Sequence, residues 1–149
     1  MRIEAILERL RELDCNPQPA TRETEIAALE LRLGRRLPTL YRALVVGYTF
    51  SPAVIGQLEL FGNGCDNPDE DITSASILDK HLLAWLTPRG AISIGRPATG
   101  AYDPVCFNMV DSPADPSIVV FDHEDILQGR VKVRCRTVAG SFAELLGLP

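Results

Sequence analysis

The sequence predicts one α+β domain in which a central antiparallel sheet of about five to six strands is flanked by helices. Helical apolar stripes open the chain, and consecutive strand-like runs separated only by turn residues follow. No repeat, low-complexity tract or linker divides the 149 residues, which are one domain's worth of chain.

Ile3, Ile6, Leu7, Leu10 and Leu13 recur at helical spacing, opposite Arg2, Glu4, Glu8, Arg9, Arg11 and Glu12, so residues 1–15 read as an amino-terminal helix. Asn16-Pro17-Gln18-Pro19 ends it. A second helix spans 21–33, with Ile26, Leu29 and Leu33 on one face and Thr21 as its expected cap. Gly34 is where a left-handed residue closes that helix. Leu37-Pro38 then turns the chain, because a residue before proline is driven out of the helical region while proline suits a first turn. Residues 39–46 form a short helix with Leu40, Tyr41 and Leu44 inward.

Residues 56–61 alternate as a strand, with Leu58 and Leu60 on one face, and 66–71 form an acidic loop. Residues 74–86 read as one helix through Ile77, Leu78, Leu82, Trp85 and Leu86. Segments 91–95, 105–110 and 118–122 read as successive antiparallel strands, the last two joined by a turn-rich loop at 111–116. Val131, Val133 and Cys135 alternate with Arg130, Lys132, Arg134 and Arg136, predicting a further strand with an apolar and a basic face. A closing helix carries Phe142, Leu145 and Leu146.

Composition narrows the class. Hydrophobic residues make up 46% and charged residues 23%, which suits a folded globule rather than a disordered chain. No apolar run approaches the roughly twenty residues of a membrane span. Residues 1–13 alternate apolar and charged side chains instead of forming the apolar block of a signal peptide, so a cytoplasmic protein is expected. Cys15, Cys65, Cys106 and Cys135 are scattered, without a Cys-x-x-Cys pair, and read as free thiols.

Little catalytic chemistry is indicated. Asp66-Asn67-Pro68-Asp69-Glu70-Asp71 resembles a calcium loop only faintly: the glycine position is occupied by Asp71, and Pro68 interrupts the ligand spacing. Cys65, His81, Cys106, His123 and Cys135 lack paired zinc-ligand spacing. Cys106 and His123 suggest a nucleophile and base only in outline, since Cys106 lies between apolar strand residues and reads as inert core. Gly95-Arg96-Pro97-Ala98-Thr99-Gly100 lacks the Gly-Lys-Ser/Thr of a phosphate loop. No catalytic, metal or cofactor residue is assigned.

Four blocks carry a family resemblance. Glu25-Ile26, Leu29-Glu30, Leu33-Gly34, Leu37-Pro38 and Tyr41 form an acidic-Ile-x-x-Leu-Glu-x-x-Leu-Gly-x-x-Leu-Pro-x-x-Tyr pattern. Ile92-Ser93-Ile94-Gly95 followed by Asp103, Cys106 and Phe107 makes the second block, and Ile118-Val119-Val120-Phe121-Asp122-His123-Glu124 the third. Ala139-Gly140-Ser141-Phe142 with Leu145-Leu146 makes the fourth. In this order, over 21–147, the chain resembles the SUKH superfamily of Smi/Knr cell-wall-regulator-like proteins. The family's Asn-Gly-Gly after the Leu-Pro helix is replaced by Gly47-Tyr48-Thr49-Phe50, and the nearest Asn-Gly is Asn63-Gly64. The resemblance implies a non-enzymatic immunity protein that occludes the active site of a cognate bacterial toxin; the alternative is an intracellular scaffold in signalling or cell-wall regulation.

The charge pattern bears on the partner. Residues 66–125 carry eleven acidic and three basic side chains, within a net charge of −5 for the chain. That balance disfavours nucleic acid as a ligand and suits a basic protein such as a nuclease-type toxin, although acidic loops also simply keep a protein soluble. The expected contact set is Asp66, Asp69, Glu70, Asp71, Asp103, Asp111 and Asp115, with Tyr48, Phe50 and Tyr102 as aromatic anchors. The row from Arg130 to Arg136 reads as the solvated face of a strand.

Overall fold

The computed structural model describes residues 3–110 and 112–149. Helix α1 (Ile3–Glu12) leads through strand β1 (Gln18–Pro19) to α2 (Glu23–Leu33) and α3 (Thr39–Gly47). Strand β2 (Tyr48–Thr49) pairs with β1 and clasps the chain on either side of the α2–α3 unit. A six-stranded antiparallel meander follows, in the order β3 (Ala53–Ile55), β4 (Leu58–Leu60), β5 (Ala91–Pro97), β6 (Val105–Asn108), β7 (Ile118–Phe121) and β8 (Cys135–Ala139). Helices α4 (Ile72–Ala75) and α5 (Lys80–Leu86) lie between β4 and β5, α6 (His123–Leu127) between β7 and β8, and α7 (Phe142–Leu145) closes the fold. This is the expected α+β architecture. Among the described residues, no helix is long and apolar enough to cross a membrane.

Strand alternation gives the sheet two apolar faces. Ile92, Ile94, Phe107, Ile118 and Val120 join Leu29, Leu33, Tyr41 and Phe142 in the main core. On the reverse face Cys106, Val119 and Phe121 meet Leu82, Trp85 and Leu86 of α5, with the Trp85 and Phe121 rings edge to face at 5.1 Å. Tyr41 sits at the centre of the main core, edge-on to Phe107 at 5.0 Å and Phe142 at 5.2 Å. Burial pushes its phenol well above the ordinary tyrosine range.

The corner between α2 and α3 is a polar joint. Gly34 ends α2 at φ +74°, donating its N–H to the Glu30 carbonyl. The buried Glu30 carboxylate accepts the Leu37 N–H at 2.8 Å and grips Arg42 of α3, whose guanidinium also reaches Glu23 at 2.8 Å. Pro38 stands just before the first helical residue rather than inside the first turn.

Several boundaries differ from expectation. Arg22, not Thr21, precedes α2, and no side chain caps that helix. The strand read at 56–61 is the second arm of a hairpin: Gly56, at φ +58°, turns the chain between β3 and β4. The helix read at 74–86 is two helices, because Asp79 accepts the Leu82 N–H and starts α5 afresh. The strand read at 131–136 begins only at Cys135. Asp125 takes the Arg134 N–H at 3.0 Å, which removes that donor from any ladder and leaves Val131 fully exposed. The alternation there is real in sequence but faces solvent.

Two outcomes test the corner. A Cβ at Gly34 meets nothing within 4 Å, so the penalty of substitution is conformational alone. Gly34→Val should lower stability by about 1–2 kcal/mol and Gly34→Asn by less, read by urea unfolding. Glu30→Ala leaves the buried Leu37 N–H unmatched and the Arg42 guanidinium with Glu23 alone, and should cost about 3 kcal/mol. Glu23→Ala, whose carboxylate is 56% exposed, should cost clearly less than Glu30→Ala. Equal losses in that pair contradict the joint.

Candidate functional site

A groove of about 290 Å³ runs over the reverse face of the sheet where α5 leaves β5 uncovered. Its floor is Phe61 with Ser93 and Gly95 of β5; Ala75, Leu78 and Leu82 form one wall, and Tyr102, Pro104 and His123 the other. Gly95 is required where β5 meets β4, since a Cβ there falls 2.4 Å from the Glu59 carbonyl oxygen. Tyr102 is 71% exposed and Leu78 59%, although both are large apolar-bodied side chains. Tyr102 rests on the His123 ring at 5.7 Å, and Asp103 accepts the His123 N–H at 2.8 Å, so the β7–α6 corner props the tyrosine. Asp69 and Asp79 line the rim, both exposed. Arg96, the cation in the groove, is paired with Glu59 at 3.4 Å.

The expected contact residues do not form one surface. Asp69 and Tyr102 share this groove, with Asp103 behind the ring. Asp66 and Glu70 turn the other way, into a polar groove of about 450 Å³ beside Asn16, Gln18 and Ser51. Phe50 is a buried core residue that offers no anchor, held inward by its paired backbone hydrogen bonds to Asn63. Asp71 is likewise buried: it accepts the Gly64 N–H at 2.8 Å and the Thr73 hydroxyl at 2.6 Å and faces Arg22. That inward turn also removes it from any calcium loop. Asp115 accepts the Phe142 N–H at 3.3 Å at the start of α7, away from both grooves. Tyr48 is half-buried, and Asp111 lies outside the described residues.

Asn63 explains the displaced Asn-Gly. Its amide donates to the carbonyls of Val45 and Tyr48, both at 2.7 Å, and its side-chain oxygen accepts from Arg22. A distant asparagine thus satisfies the end of α3, a role in the fold for a dipeptide that sequence spacing had left unplaced. A continuous helix over 74–86 puts Leu78 on its apolar stripe and Asp79 within it, which hides both as site residues.

Cys106 and Cys65 are both held as thiols. Cys106 is fully buried against α5, and burial pushes its thiol well above the ordinary range. Burial, with Asp71 and Glu70 adding, pushes Cys65 up to about 11. Among the described residues no three His, Cys, Asp or Glu side chains converge as a metal site.

The fold order, the Leu-Gly-Leu-Pro corner and the propped β7–α6 turn coincide with the four sequence blocks. The model of the SMI1 / KNR4 family (SUKH-1) matches residues 20–147. The chain belongs to this family. No curated protein matches it. Helix α1 and strand β1 lie before the matched span, so the SUKH-1 region runs from the residue after β1 to the end of α7.

In this SUKH-1 chain the row Arg130 to Arg136 is partly neutralised. Asp125 is buried beneath it, held by the Arg134 guanidinium at 2.8 Å and by Arg130 at 3.1 Å. The hydrogen bonds from Arg134 lower its carboxyl to about 2. A depressed carboxyl stabilises the fold above its unfolded value of about 4. That contribution should fade as pH falls from about 4 through about 2. Unfolding curves across that window should show Asp125→Asn less stable than wild type at neutral pH and losing less on acidification. A wild-type acid limb as steep in the variant contradicts the pairing.

Proposed function

We propose that the chain is a non-enzymatic immunity protein of the cytoplasm that binds a cognate bacterial toxin of nuclease type and covers its active site. The observation that carries this reading is the groove on the reverse face: two exposed apolar anchors, Tyr102 and Leu78, between the carboxylates of Asp69 and Asp79. Membership of the SUKH-1 family supports a protein partner. A nuclease must hold a polyanion, so its active-site surface is basic, and acidic groups around an apolar centre complement it in charge and in buried area. The Asp69 carboxylate holds no hydrogen bond or ion pair among the described residues and that of Asp79 holds only a backbone N–H, so both are available to a cation. The partner's basic residues lie along the rim while the aromatic ring supplies desolvated area.

Co-expression with the toxin encoded beside the chain tests this. Wild type should protect; Asp69→Lys/Asp79→Lys should slow association and flatten its salt dependence, and Tyr102→Ala should speed dissociation. All three substituted side chains are exposed, so Asp69→Lys and Tyr102→Ala should melt close to wild type, whereas Asp79→Lys also removes the cap of α5 and should lower the melting temperature modestly. Absence of wild-type protection sinks the immunity reading. Full protection by folded groove variants sinks only this choice of surface.

A further inference from the structure

A second cavity, of about 670 Å³, lies at the Leu37–Pro38 corner and shares no lining residue with the acidic groove. We propose that it binds a small organic phosphate, with the phosphate on Arg35 and Arg36 and an apolar or aromatic body over Leu37, Met109 and Pro113. The volume falls within the range of small-molecule sites, and the floor is apolar, as such sites usually are. Leu37 and Met109 are buried beneath it.

Three guanidiniums face the cavity, and they differ in what they already hold. Arg42 is committed to Glu30 and Glu23. Arg35 and Arg36 form no ion pair with any carboxylate among the described residues. Yet Arg35 is half-buried and seated: a Cβ added to Gly90 falls 3.2 Å from its Nη1 and 3.1 Å from a Val110 methyl. The bare backbone of Gly90 therefore makes room for a positioned guanidinium that forms no ion pair among the described residues. Elsewhere in this chain, of net charge −5, the part-buried guanidiniums of Arg9, Arg22 and Arg96 each face a carboxylate.

The ligand class follows from charge and size. Two adjacent guanidiniums match the roughly −1.5 to −2 charge of a phosphate monoester at neutral pH, and arginine's planar fork suits phosphate oxygens. A bare phosphate leaves the apolar floor unused, whereas a neutral apolar molecule leaves both cations unmatched. Basic residues beyond the end of α2 also favour its carbonyl end, but that effect applies equally to Arg32, which lies outside the cavity lining.

The chain has two methionines, so the Met109 methyl is a clean reporter in methyl-labelled protein. Phenyl phosphate should shift it saturably. Benzyl alcohol, benzoate and inorganic phosphate should each bind about tenfold or more weakly, as should phenyl phosphate to Arg35→Gln/Arg36→Gln. Arg32→Gln should bind as wild type does. If the double variant does not fold, Arg36→Gln alone, at an exposed position, should still weaken binding severalfold. No saturable shift at Met109, equal binding of benzyl alcohol or benzoate, or an equal loss in Arg32→Gln overturns the proposal.

Discussion

The carboxylate of Glu30 is the joint on which the amino-terminal half turns. It is nearly buried, and a buried carboxylate is tolerable only when its oxygens are matched by donors. Here one oxygen accepts the Leu37 N–H and both meet the Arg42 guanidinium, so one side chain of α2 grips the corner and the next helix at once. Gly34 lets the chain leave α2 without strain, and Pro38 admits only a non-helical residue before it. With the angle between the helices set, Tyr41 is delivered against Phe107 and Phe142, and the sheet and closing helix share a centre with the first helices. Arg42 is thereby used up, which leaves Arg35 and Arg36 as the arginines of the corner cavity that form no ion pair among the described residues.

The same demand for matched polar groups governs the rest of the chain. Asn63 satisfies the end of α3 from a loop many residues away, Asp71 ties that loop to Gly64 and Thr73, and Asp125 collects the basic segment before β8. Much of the acidic middle of the sequence is therefore internal bonding rather than a field presented to a partner. Asp103 and Asp115 likewise hold backbone N–H groups at the starts of α6 and α7. What remains free in the acidic loop is split by its own turn, with Asp69 on one side and Asp66 and Glu70 on the other.

The reverse face of the sheet is covered unequally, and that inequality makes the groove. Helix α5 is short because Asp79 restarts it, and its Trp85 and Leu86 reach β6 and β7 through Phe121, Val119 and Cys106. Around Ser93 and Gly95 the reverse face is lined by Ala75, Leu82 and Phe61 rather than by Trp85, and Tyr102 and Leu78 stand at the margins of the groove. An exposed aromatic propped by a fixed corner loses little freedom on being covered, which is why such a residue makes an effective anchor.

The sequence by itself determined what depends on neighbours along the chain. The left-handed close at Gly34, the Leu-Pro reset, the inward stripes of α1 to α3 and the order of strands β5 to β7 are all consequences of local sterics and periodicity, and they carry the family membership as well. Only the tertiary structure decided which charges are spent. Nothing local distinguishes Asp71, buried against Gly64, from Asp69, open in the groove two positions earlier. Nor does the alternation of Val131, Val133 and Cys135 reveal that Asp125 removes the Arg134 N–H from the sheet. Hydrogen bonds to a carboxylate are made by whichever donor the fold brings near, and that proximity is set by packing across the whole domain rather than by spacing in the chain.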